Sequence, residues 1–349
     1  MLLFLGICFP AAFSRRVGLE FPIAPDAEPS GALMNRSAGL RARLGRVAPG
    51  GGGQVRVFSE VALALAGVIW GANFVLVKLA LGHTTPLYYL GLRFTVGAVL
   101  LLPFSLGRLR RLSRRDWLLG CGVGLLLFCG FVLQTFGLRY VSPAVSGFVT
   151  NLYVIMVPLI LGVATGRWPS PLVGIGVVIV VGGLALLSLY GKMGFGLGDA
   201  LTLIATLFWA VHILAVGHMS TRMSAIALVQ LQLSVCAVLG LICAFVFERP
   251  VLFPGWSATG AVLWTGIMGG IVAYLLMALG QRHTPPTLAG VLMSLEAVFA
   301  LIVSIIWGYD KLAWRTIMGF VLIFAGCTIA RMGSEKTPEY EAEPAPPGP

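Results

Sequence analysis

Charge is what this chain has least of. Asp, Glu, Lys and Arg make up 11% of its 349 residues, against about 25% in a soluble domain. Acids are the scarcer sign, 13 against 24 Lys and Arg. The six cysteines form no CxxC pair and have no His at metal spacing, which argues against a metal site and leaves small apolar packing residues. Four scattered histidines (His83, His212, His218, His283) supply no nucleophile–base or ligand cluster, so an enzyme is disfavoured. Gly50–Gly53 is followed by no Gly-Lys-Ser/Thr, so a phosphate-binding loop is missing and ATP is not the direct energy source. No cofactor is expected. The net charge of +11 crowds into the N-terminal arm and one short loop rather than onto a basic face with interleaved aromatics, which argues against nucleic acid.

What is there instead is apolar. Hydrophobic residues make up 58% of the chain. They gather into ten long segments, at 61–81, 87–106, 117–138, 144–165, 172–189, 200–217, 225–247, 257–279, 287–307 and 314–330. A helix needs roughly 20 apolar residues to cross ~30 Å of hydrocarbon. Only a backbone that satisfies its own hydrogen bonds can stay there. The expected fold is therefore an all-α membrane protein of ten transmembrane helices in the lipid bilayer. Residues 1–57 read as an irregular arm, with Met34 as an alternative start that intact mass would decide. Residues 333–349, rich in Pro and Glu, read as a disordered tail.

The segments fall into two groups of five, over 59–190 and 198–331. At an offset of 143, Gly137 matches Gly280, Arg139 matches Arg282, Pro143 matches Pro286 and Gly147 matches Gly290. At 139, Trp70 falls on Trp209, Asn73 on His212 and Arg93 on Gln232. Five is odd, so the second group must enter the membrane from the opposite side, as two inverted repeats with a site near mid-membrane. If both termini are cytoplasmic, that side holds 17 Lys and Arg against 5 opposite, with Arg108, Arg110, Arg111, Arg114 and Arg115 in one short loop. The positive-inside rule then places both ends in the cytoplasm, with the plasma membrane as the expected location.

Few polar residues interrupt the spans. Glu296 alone among the carboxylates lies deep, nine residues past Thr287. At ~1.5 Å per residue that is near the bilayer centre. A carboxylate there lines a water path or carries protons, or else serves as interhelical glue. Lys78 and Arg93 either snorkel outward or face inward as a positive pair for a carboxylate or phosphate. Asn73, Asn151, Tyr153 and His212 are the other central polar candidates, with Gln134, Gln230 and Gln232 nearer the edges. Trp70 and Trp209 would wall a pocket. Glu60 and Asp199 are expected to open their helices, and Pro158 to kink the fourth span.

Trp70-Gly71-Ala72-Asn73-Phe74 with Lys78, Pro86 and Arg93-Phe94 resembles the opening of EamA-type members of the drug/metabolite transporter superfamily. Gly198-Asp199-Ala200 with Trp209-Ala210, Leu295-Glu296 with Val298-Phe299-Ala300, and Gly319–Ile323 with Gly326 are similar to later motifs of that family. The chain departs from it at Ala297, where Glu-Pro is usual, and at Gly166-Arg167 and Gly308-Tyr309-Asp310, where Gly-Glu is. The resemblance implies a ten-helix inverted-repeat carrier of small organic solutes, often an exporter of amino acids; the deep Glu296 makes protons the expected coupling ion, with facilitated diffusion as the alternative. The resemblance also leaves sugars, nucleotide sugars or phosphorylated compounds as cargo. A receptor or scaffold without transport is the remaining alternative, and a homodimer is left open.

Overall fold

The computed structural model describes residues 51–166, 170–188, 196–311 and 313–334, and every regular element among them is helical. Of the arm expected over 1–57, residues 1–50 lie outside the described residues, as do the alternative start at Met34 and all but the first two residues of the tail expected over 333–349, which belong to the last helix. The elements are α1 (Gly51–Ala80), α2 (Pro86–Leu109), α3 (Arg114–Gly137), α4 (Pro143–Thr150), α5 (Tyr153–Thr165), α6 (Pro171–Ser188) and α7 (Leu197–Arg222). They continue as α8 (Ala225–Phe247), α9 (Trp256–Trp264), a π-helical stretch (Thr265–Val272), α10 (Ala273–Gly280), α11 (Pro286–Met293), α12 (Leu295–Ile306) and α13 (Trp314–Ser334). Among the described residues, these give eight helices long and apolar enough to cross a membrane, and α6 and α13 add two shorter apolar stretches. The outer surface is apolar: Phe104 is 65% exposed, Val178 71% and Phe247 75%. Surrounding lipid is what stabilises such a surface.

Local sequence sets the helix starts. Pro86, Pro143 and Pro286 occupy first-turn positions of α2, α4 and α11, where a missing N–H costs nothing. Ser113, Ser142 and Ser224 accept the free N–H three residues on. Asp199 opens α7 as expected, its carboxylate accepting from Gly196 N–H at 3.0 Å. Glu248, at the end of α8, caps a different helix: its two oxygens accept from Leu87 and Tyr88 N–H of α2, each at 3.1 Å.

One expectation needs correction. α1 begins at Gly51 rather than after residue 57, so Glu60 sits inside the helix and pairs with Arg56 at 3.0 Å instead of opening it. The glycine penalty falls on a first turn whose N–H groups have no helical partners anyway, while the i,i+4 pair supports the next turn. The fourth span breaks at Asn151–Leu152, and Pro158 lies inside α5. The ninth span breaks at the matching place, Ser294, with Leu301 standing where Pro158 would be. At both breaks a short polar side chain competes for the preceding turn: Asn151 Nδ2 donates to Gly147 O (3.1 Å) and Ser294 Oγ to Val291 O (2.6 Å).

α2 packs on α8, α6 on α13, α3 on α7, and α1 on α10 and α12. Without a hydrophobic drive inside lipid, close backbone approach holds such pairs together. Gly91 and Gly240 face each other so tightly that a Cβ on Gly240 would come within 2.8 Å of the Gly91 backbone. Further along, Gln230 Nε2 donates to Ala98 O at 3.1 Å, so α2 and α8 run antiparallel. α6 and α13 also run antiparallel, with Gly176 against Gly326 and Ser170 Oγ donating to Gly333 O at 3.0 Å.

Candidate functional site

Helical spacing assembles one chamber. α1 presents Trp70, Asn73, Phe74 and Val77, and α3 presents Phe131, Gln134, Thr135 and Leu138, each an i, i+3, i+4, i+7 stripe. α7 adds Trp209, His212 and Ile213, α2 adds Arg93, and α10 adds Tyr274 and Met277. The helix breaks complete the wall, Thr150 and Tyr153 from the fourth span and Met293 and Glu296 from the ninth. The chamber volume is about 60 Å³, room for roughly four to six waters at ~10–15 Å³ each.

Seven of the nine residues expected from sequence line this space: Trp70, Asn73, Arg93, Tyr153, Trp209, His212 and Glu296. Asn151 sits behind the wall at the break, buried. Lys78 lies in the last turn of α1, where its Nζ donates to the carbonyls of Leu138 (2.6 Å), Arg139 (3.3 Å) and Val141 (3.0 Å). It caps the carbonyl end of α3, where a cation suits the helix dipole. Arg282 does the same for α7, with Nε to Ser220 O at 2.8 Å and Nη2 to Met223 O at 2.9 Å.

The chamber is aromatic with a few unmet polar groups. Phe94, Phe131, Trp209, His212, Tyr274 and Trp70 form a chain of ring contacts with centroids 4.7–6.0 Å apart. Arg93, 2% exposed, lays its guanidinium over Phe131 at 4.6 Å, Phe94 at 4.7 Å and Tyr89 at 5.7 Å, a cation–π setting. No carboxylate lies within ion-pair distance among the described residues, and its Nε has no hydrogen-bond partner. Asn73, 5% exposed, has neither amide atom satisfied. Their matches in the second half satisfy each other: His212 Nε2 and Gln232 Oε1 lie 2.7 Å apart. Glu296, 7% exposed, accepts from the Tyr153 hydroxyl at 3.4 Å, and these two are also repeat matches.

The π-helical stretch was not foreseen in the sequence, nor was Tyr274. Its wider turns bring Gly266 and Gly269 against α2 and α1: a Cβ on Gly266 would meet Arg93 O at 2.5 Å, and one on Gly269 would overlap the Asn73 amide. Gly269 O in turn accepts from Trp70 Nε1 at 3.1 Å. Such irregular turns concentrate at functional sites. The run Gly266 to Gly270 in an apolar span was the one available signal.

Two stretches of the chain, residues 57–189 and 196–332, each match the EamA-like transporter family. The chain belongs to that family. Among its relatives is an uncharacterized transporter of Archaeoglobus fulgidus, 29% identical over 273 residues, which cover 78% of this chain and 85% of the relative. The uncharacterized transporter YvbV of Bacillus subtilis is 25% identical over 292 residues, covering 78% of this chain and 91% of the relative. A solved crystal structure superposes with a TM-score of 0.65 over 79% of this EamA-like chain and 98% of its own, at 21% identity, a likeness of fold. The two family matches fall on the two groups of five apolar segments read from the sequence.

Proposed function

We propose that this EamA-like chain is a secondary transporter that exports small zwitterionic metabolites, amino acids or their relatives, across the plasma membrane by alternating access. In this reading its ten helices are two inverted five-helix repeats with both termini in the cytoplasm. The antiparallel packing of α2 on α8 and of α6 on α13, each helix on its match in the other half, supports the inversion.

The observation that carries the reading is the asymmetry of unmet bonding. His212 and Gln232 are paired at 2.7 Å, while Asn73 and the Nε of Arg93 have no partner, although both residues line the aromatic-rich chamber. A buried polar group without a partner costs stability until something binds it, and a planar carboxylate matches a guanidinium fork. Arg93 and Asn73 would hold the carboxylate of the solute, and Glu296 its ammonium group or the exchanged proton. Trp70, Trp209, Tyr153 and His212 would wall the solute. Lys78 and Asn151, outside the chamber, would act at the α3 carbonyl clamp and the helix break as gating elements.

Counterflow in proteoliposomes tests this. Vesicles loaded with an unlabelled neutral amino acid are expected to take up its labelled form faster than empty ones. A sugar or sugar-phosphate load giving the acceleration instead would move the substrate class, and no acceleration by any solute would favour a scaffold.

A further inference from the structure

α3 and α7 run antiparallel: Gly137 packs on Gly198 and Thr202, and Gly130 on Phe208 and Trp209. That register sets Arg115, at the start of α3, opposite Arg222, at the end of α7, and His218 lies within the electrostatic reach of both. Two halves of the protein thus bring like charges together. Arg108, Arg110, Arg111 and Arg114 stand exposed beside them. No carboxylate comes within ion-pair distance of any of these six arginines among the described residues. The nearest acid in sequence, Asp116, is held by Ser113, whose Oγ lies 2.6 Å from its Oδ2. The matching loop between α8 and α9 carries only Glu248 and Arg249 as charged residues, so the fold itself does not require this concentration.

The cluster borders lipid-facing surface. Phe104 is 65% exposed, Leu118 73% and Trp117 40%, and Trp117 Nε1 donates to Leu109 O at 3.2 Å, the posture of an aromatic at the headgroup level. We infer that Arg115 and Arg222, with the arginines of the α2–α3 loop, seat the phosphate of an anionic phospholipid that bridges the two halves. Clustered arginines beside a span attract acidic headgroups, and a phosphate between Arg115 and Arg222 relieves a repulsion that no ion pair among the described residues offsets. α3 and α7 carry Phe131, Gln134, Trp209 and His212 of the chamber, so the lipid would hold together the two helices between which the solute sits.

Native mass spectrometry and thermal melting of the detergent-solubilised full chain, with phosphatidylglycerol, phosphatidylcholine or inorganic phosphate added, test the seat. Wild type is expected to retain phosphatidylglycerol in preference to phosphatidylcholine and to melt a few degrees higher with it. The double variant Arg115→Gln, Arg222→Gln is expected to retain it about tenfold more weakly. The same double change is expected to leave melting in phosphatidylcholine unchanged or, with the repulsion gone, slightly raised, which shows that it folds. Equal retention of both lipids by wild type, undiminished preference in the double variant, or equal stabilisation by inorganic phosphate would each overturn the lipid seat. Counterflow is not a readout here, so failure of the seat leaves the transport reading standing.

Discussion

Arg93→Gln is expected to lower solute flux by on the order of 100-fold, because losing one member of a buried, hydrogen-bonded charge pair costs ~2–5 kcal/mol. The same change is expected to leave the melting temperature unchanged or to raise it. Arg93 is 2% exposed, has no carboxylate partner among the described residues and leaves its Nε unsatisfied. An unpaired buried charge opposes folding, so a neutral side chain of similar reach relieves the protein. Those two outcomes move in opposite directions only if the guanidinium serves the solute. If Arg93 is structural, through its stacking on Phe94 and Phe131, the variant melts lower and flux falls only with the folded fraction. Arg93→Lys separates charge from shape: it keeps the cation and loses the fork, so solute affinity should fall while the sign of the preferred charge persists.

Glu296→Gln is expected to abolish the response of flux to a pH gradient while leaving the fold intact. Gln keeps a carbonyl oxygen that can accept from the Tyr153 hydroxyl, as the carboxylate does at 3.4 Å. It cannot release a proton. In wild type, a pH difference of about one unit supplies ~1.4 kcal/mol per proton moved, enough for a tenfold solute gradient. Steady-state accumulation in proteoliposomes should therefore track the imposed pH difference for wild type and be flat for the variant, with counterflow retained. An unaltered pH response in Glu296→Gln would remove this carboxylate from the coupling.

Much of this was legible in the sequence because lipid permits so little. A polar side chain in the middle of a twenty-residue apolar run must face protein, and Asn73, Arg93, His212 and Glu296, from four helices, all line one chamber for that reason. The length of the apolar runs likewise located α2 and α8 to within three residues at each end. What stayed hidden was what two helices do to each other. Lys78 reads as a pocket cation or a snorkelling one, and only the packing of α1 on the end of α3 gives it three carbonyls to hold. Phe131 and Tyr274 read as ordinary core aromatics, since nothing in a single sequence says which side of a helix meets a void. The break of the fourth span at Asn151, where a side-chain amide competes for the Gly147 carbonyl, left no mark in the apolar run. The π-helical turns of Thr265–Val272 carry glycines against which the Asn73 amide and the Arg93 backbone of other helices pack closely.

The central claim is that one chamber between the halves opens to each side of the membrane in turn. Thr135, on its wall and 2% exposed, gives the direct measurement: Thr135→Cys in a chain whose six native cysteines are alanine, treated in sealed vesicles with a membrane-impermeant thiol reagent. The alternating chamber predicts labelling from either face, and slower labelling from both when the transported solute is present. Labelling from one face only, or labelling that the solute leaves untouched, would contradict it.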